Sequence, residues 1–120
     1  MKDKEHPTVF EKLAGKQKRQ RFDADGVNVS IEVSPWYVTT NSGLKEGILT
    51  TAYAIQKSGY GVKGEAVCIP DDKFDFRFGA ELALENALAV KATHNHRYQK
   101  IVKCETRKAI WTEFNRVLPK

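Results

Sequence analysis

The sequence predicts an α+β fold: a three-stranded antiparallel sheet with helices packed on one face, and helices at both ends of the chain. Three observations carry this expectation. Val27 to Val33 alternates apolar and polar residues without a break, the period of a half-buried strand. Ile48 to Gln56 and Val62 to Ile69 alternate in the same way. Phe76 to Val90 then places apolar residues at helical spacing behind an acidic turn. Three strands followed by a helix across one face make a two-layer arrangement.

Residues 1–8 carry Lys, Asp, Glu, His and Pro with almost no apolar mass, so a flexible N-terminus is expected before a single domain over 9–120. A short helix is expected from Thr8 to about Gln20. Thr8 and Glu11 form a Thr-x-x-Glu capping box, and Val9, Phe10 and Leu13 supply its anchor. Lys16, Lys18, Arg19 and Arg21 follow. Such a run can neutralise several phosphates, and it equally suits a solvated helix C-terminus.

Asp23-Ala24-Asp25-Gly26 reads as a turn. In the strand after it, Val27, Val29, Ile31 and Val33 share one face, and Asn28, Ser30 and Glu32 the other. Ser34-Pro35 is expected to bend or interrupt this strand. Trp36 to Thr40 is again β-prone. Trp36 and Tyr37 face opposite ways along an extended chain. Either ring suits a core, and an exposed one can stack on a base or on a partner's side chain. Asn41 to Gly47 reads as a polar loop. In the next strand Leu49, Thr51, Tyr53 and Ile55 share a face, and Lys57 to Gly61 turns the chain into the third strand.

In that third strand Val62, Gly64, Ala66 and Cys68 lie on one side, and Lys63, Glu65, Val67 and Ile69 on the other. Small residues suit a face on which a helix lies closely, and Pro70 ends the ladder. Asp75 is the expected N-cap of the helix, with Asp71 and Asp72 holding the turn. Phe76, Ala80, Leu84 and Leu88 form its apolar stripe, widened by Ala83, Ala87 and Val90. Gly79 is expected to permit close approach to the sheet. Arg77, Glu81, Glu85 and Lys91 suit the wet side.

The run Gly-x-Ala-x-Cys-x-Pro-Asp-Asp-x-Phe followed by Gly-Ala-Glu-Leu-Ala-Leu-Glu-Asn-Ala-Leu resembles a strand–turn–helix pattern of small uncharacterised bacterial and phage proteins. It is similar to a family of small bacterial proteins of unknown function whose fold is like the double-stranded RNA-binding domain. In that family a Pro-x-Asp turn leads into a Gly-Asp-Glu-Leu-Ala helix. The resemblance covers Gly61 to about Val90 and implies a fold, with no catalytic residues. The element order α-β-β-β-α, read separately from the periodicities, agrees with it. The turn before the helix is acidic here, where a double-stranded RNA binder usually places lysines.

Thr93-His94-Asn95-His96 reads as a break before a second helix running to about Leu118, with a strand at Lys100–Cys104 also compatible. The helix bears Tyr98, Ile101, Val102, Ala109, Ile110, Trp111, Phe114 and Val117. Lys100, Lys103, Arg107, Lys108 and Arg116 give it a basic surface.

The net charge is +5, and it is unevenly spread. Residues 1–22 hold seven Lys/Arg against three Asp/Glu, residues 23–90 five against ten, and residues 91–120 eight against two. Basic ends around an acidic centre favour a polyanionic or acidic partner, or simply keep a small protein soluble. No apolar run approaches the ~20 residues that span a bilayer. The N-terminus lacks the apolar core of a signal peptide, so a cytoplasmic protein with no membrane association is expected. Cys68 and Cys104 lie far apart and read as reduced, core-packed thiols.

His94-x-His96 would aim both rings one way only in an extended segment, and no carboxylate or thiol near in sequence completes a metal site, so loop histidines are expected. Cys68 has no matched base. The aspartates fit helix capping better than Mg²⁺ binding. The expectation is a non-enzyme without metal or cofactor: a small phage or bacterial protein that binds nucleic acid (duplex RNA or DNA) or a nucleoprotein complex. Lys16, Lys18, Arg19, Arg21, Lys100, Lys103, Arg107 and Lys108 would contact phosphate, with Trp36 and Tyr37 as stacking groups. The alternative is a protein-binding adaptor or inhibitor, for example a phage anti-defence protein acting on a host protein.

Overall fold

A computed structural model describes residues 18–68, 74–94 and 97–120. Expectations that fall on Thr8 to Gln17, Ile69 to Lys73, Asn95 and His96 lie outside the described residues, Lys16, Asp71 and Asp72 among them. Four strands come first: β1 (Arg19–Ala24), β2 (Val27–Thr40), β3 (Gly43–Ile55) and β4 (Gly61–Cys68). They form one antiparallel sheet in the order β1-β2-β3-β4. Helix α1 (Phe76–Leu88) follows, then a hairpin of β5 (Lys91–His94) and β6 (Arg97–Lys100), then helix α2 (Cys104–Val117).

The α+β class and the antiparallel sheet agree with the sequence, but the sheet has four strands where three are expected. The additional strand is β1. Arg19 and Gln20 belong to it and not to a helix end. Its alternation sets Phe22 into the core, 7% exposed, opposite Val29. Asp25 and Gly26 have φ of 50° and 78°. Two consecutive positive φ values suit the two-residue hairpin turn that Asp-Gly favours, so Asp23 and Ala24 are strand and the turn is shorter than the sequence suggests.

Two further corrections concern β2 and β3. Ser34-Pro35 does not interrupt β2, which runs on to Thr40. The N–H of Val33 donates to the carbonyl of Lys18 at 3.0 Å, so the odd-numbered amides of β2 point toward β1. Pairing with β1 stops at Glu32. The N–H that Pro35 lacks would thus have faced a side on which no described strand pairs with it. Gly43 to Gly47, expected as loop, are β3, paired with Trp36 to Thr40. Beyond the last described rung with β4, Ile48 with Cys68, these residues and Trp36 to Thr40 form a ribbon in which no other described strand takes part.

The last correction concerns the C-terminal third. Thr93 and His94 are strand, as are Tyr98 and Lys100, and the helix starts at Cys104. Of the compatible strand at Lys100–Cys104, Lys100 alone is strand. Cys104 is exposed, not core-packed, and Cys68 is partly buried.

Both helices cover the same face of the sheet. Register sets Phe22, Val29, Ala54 and Val62 in one row, and all four are buried with Ala80, Leu84, Ile110 and Phe114. In the next row, Ile31, Ala52 and Gly64 lie under α1. A Cβ on Gly64 would stand 2.2 Å from the carbonyl oxygen of Ala83 and 2.2 Å from the amide of Ala87. Glycine there is a condition of the contact, as the small-residue face of the third expected strand implies. One on Gly79 would stand 2.8 Å from Thr50 Oγ1, the close approach expected of that residue.

Asp75 caps α1, its Oδ1 accepting from the amides of Arg77 at 3.0 Å and Phe78 at 3.4 Å. Arg77 is not on the wet side. Its Nε donates to the Leu118 carbonyl at 2.8 Å, Nη2 to Asn115 at 2.7 Å and Nη1 to Glu81 at 2.6 Å, with the guanidinium 5.1 Å from the centroid of Phe114. A cation at the C-terminal end of α2 meets its unpaired carbonyls and clips the two helices together. At the other end of α2, Thr106 Oγ1 donates to Asp25 Oδ2 at 2.7 Å, tying the helix to the β1–β2 turn. No described helix is long and apolar enough to cross a membrane.

Candidate functional site

The helices leave the second face of the sheet bare of other described elements, and the register decides what stands on it. Arg21, Ser30, Tyr53 and Lys63 form one row across all four strands. Arg19, Glu32, Thr51 and Glu65 form the row beside it. Ser34, Leu49 and Val67 come next, then Trp36 against Gly47. Trp36 and Val67 both border Gly47: a Cβ there would be 3.6 Å from Trp36 Cε3 and 3.6 Å from Val67 Cγ1, and 2.7 Å from the Cys68 carbonyl oxygen. Trp36, Leu49 and Val67 thus converge at the root of the ribbon. Tyr53 is 37% exposed, and Ile55 and Val67 are exposed as well.

The charges on this face are mixed but ordered. Arg19 faces Glu32 at 3.5 Å and Lys63 faces Glu65 at 3.7 Å. Asp23 accepts from Asn28 Nδ2 at 3.0 Å. Such exposed, long ion pairs are worth little and exchange readily for a better anion. Arg21 sits directly opposite Ser30 and not a carboxylate, and Lys45 on the ribbon sits opposite Val38. An aromatic ring on a central strand, with cations on both edge strands, results.

The basic residues named from sequence do not form one surface. Arg19 and Arg21 alternate with Phe22, so they project from the bare face. Lys18 stands exposed where β1 begins. Lys103 and Lys108, both exposed, belong to the start of α2 on the opposite face, and Lys100 is exposed at the end of β6. Arg107 is partly buried, its Nη1 donating to the Val102 carbonyl at 2.6 Å, and acts there as a clamp on the chain entering the helix. The sheet stands between Arg19 and Arg21 on one side and the start of α2 on the other. Trp36 is half-buried and Tyr37 is 48% exposed on the other side of the strand.

Sequence reasoning missed Tyr53 and Lys63. Their alternation is legible, since Tyr53 shares a face with Leu49 and Ile55, and Lys63 with Glu65. What is not legible is that these two strand faces are the same one and that no described helix covers it.

A cleft of about 350 Å³ also opens between β4 and the start of α1, lined by Thr50, Ala66, Cys68, Phe74, Asp75, Gly79 and Leu82 among others. It suits an apolar group. Asp75, its carboxylate, is committed to the helix cap. Among the described residues no group of three or more metal-ligating side chains converges. Elsewhere, Glu113 on α2 is held below the usual carboxylate range by its hydrogen bond with Arg116. Arg116 is raised in turn by the same bond. No family model, no curated protein and no solved structure matches the chain.

Proposed function

We propose that this chain is a non-enzymatic nucleic-acid-binding module that presents the bare face of its sheet to the ligand. The observation that carries the reading is the row Arg21–Ser30–Tyr53–Lys63, with Arg19 beside it and Trp36 at the root of the ribbon. Cations supply the sequence-independent attraction to phosphate, and aromatic rings supply stacking. The net charge of +5 points the same way. The reading moves the site from the two basic ends taken together to the N-terminal group, because one flat ligand cannot touch both sides of the sheet.

Anisotropy of labelled RNA and DNA, measured at two salt concentrations, tests it. Arg19→Glu with Arg21→Glu should abolish most binding, whereas Lys103→Glu with Lys108→Glu should leave it nearly unchanged. The reverse pattern would move the interface to α2. A second reading, a protein-binding adaptor or inhibitor such as a phage anti-defence protein, draws support from the ribbon. Tyr37 and Leu44, 48% and 69% exposed, share its helix-side face. Exposed apolar groups on the ribbon suit a protein partner, and binding through them would survive high salt.

A further inference from the structure

We infer that the ligand of the bare sheet face is a single strand, laid across the four strands with a base stacked on Tyr53. This rests on the nucleic-acid reading above and narrows it. The argument is one of shape and chemistry. A duplex offers a flat surface only sugar and phosphate, because its base faces are stacked on one another. The apolar groups on this face would then meet nothing they can bind: Tyr53, Leu49, Val67 and Trp36 occupy its middle and its upper end. A single strand brings unstacked bases, each with an apolar π-face that an aromatic ring can cover.

The cations are placed for the same ligand. Arg21 and Lys63 stand on the two edge strands, three strand spacings apart, roughly 14 Å between backbones. They hold the backbone on either side of the base that Tyr53 stacks, and a sheet this wide seats about two or three bases. Lys63 exchanges its 3.7 Å contact with Glu65 for a phosphate. The hydroxyls of Ser30 and Thr51 flank the ring in register and can pair with base edges. The carboxylates of Glu32 and Glu65 lie in the adjacent row and disfavour phosphate over β2 and β4 there, while Arg19 at its β1 end adds a cation beside Arg21.

The test uses the full chain with labelled single-stranded RNA and DNA of about 12 nucleotides, inside the range of single-strand site sizes, and duplexes of the same length. Single strands should bind more tightly than either duplex. Tyr53→Ala should weaken single-strand binding about tenfold, and Tyr53→Phe should restore it. Arg21→Gln should flatten the salt dependence by close to one phosphate contact, about 0.7 in log–log slope. The thermal midpoint of each variant, unchanged from the parent, separates lost binding from lost folding. Duplex binding that matches or exceeds single-strand binding and ignores Tyr53→Ala overturns this inference while leaving the nucleic-acid reading standing. No binding to any form overturns both.

Discussion

The two faces of the sheet are built from the same strands, residue by residue in alternation, yet they differ in every physical respect. Under the helices the covered face is made mostly of Val, Ile, Ala and Gly, with Thr50 among them and Phe22 at the edge, and most of that part is buried. The bare face interleaves Arg, Lys, Glu, Ser and Thr with Tyr53, Trp36, Leu49 and Val67. A sheet needs only one covered face to be stable, and the second is then available for other uses. What separates the faces here is side-chain volume. Gly64, Ala52 and Ala66 let α1 come down onto the sheet, and Ala83 and Ala87 of the helix answer them. On the bare face the same positions shifted by one carry long side chains that no packed helix could tolerate.

If this division is right, substitutions on the covered face should act on stability and those on the bare face on binding. The largest effect is expected at Phe114, which is fully buried and packs edge-on against Trp111. Phe114→Ala should lose about 3–5 kcal/mol in chemical denaturation. Gly64→Ala should follow at about 3 kcal/mol, because its new methyl meets backbone atoms of α1 and the whole helix must move. Destabilisation below about 1 kcal/mol would mean that α1 is less firmly seated than the contact implies. Asp75→Ala should cost about 1 kcal/mol by leaving two helix amides without their acceptor. On the bare face Arg21→Gln should change stability by under about 0.5 kcal/mol, the scale of an exposed substitution, while still weakening nucleic-acid binding.

The smallest effect concerns the ion pair of Glu113 and Arg116 on α2. Glu113 should titrate below the ordinary carboxylate range in NMR, and Arg116→Gln should return it there. A carboxyl with a lowered folded-state pKa adds stability above its unfolded value and loses it as pH falls through the folded one. The pair with Arg116 lies at the surface, where solvent screens it, so acid unfolding should scarcely register its loss.

Much of the covered face could be read in advance. The alternation of Val27 to Val33, the small residues Val62, Gly64 and Ala66, the cap at Asp75 and the close approach at Gly79 are local patterns, and local sterics and hydrogen bonding decide them. Arg77 shows where such reading fails. Helical spacing sets it beside Glu81 and away from the apolar stripe, yet its partners Asn115 and Leu118 lie about forty residues on. The strand β1 was hidden in another way: its cations read as a helix end, although Asp25-Gly26 carried the signal of a two-residue hairpin.

The sequence by itself determined the class of the fold, most of the strand alternation and the small-residue face that receives α1, because each follows from the backbone period and the volume of neighbouring side chains. Tertiary structure decided the number of strands in the sheet, the length of the β2–β3 ribbon, the clip made by Arg77 and the row of Arg21, Ser30, Tyr53 and Lys63. These depend on register between distant segments. A strand carries its own alternation, but which of its faces meets a helix, and which residues of other strands stand beside it, is set when the chain packs.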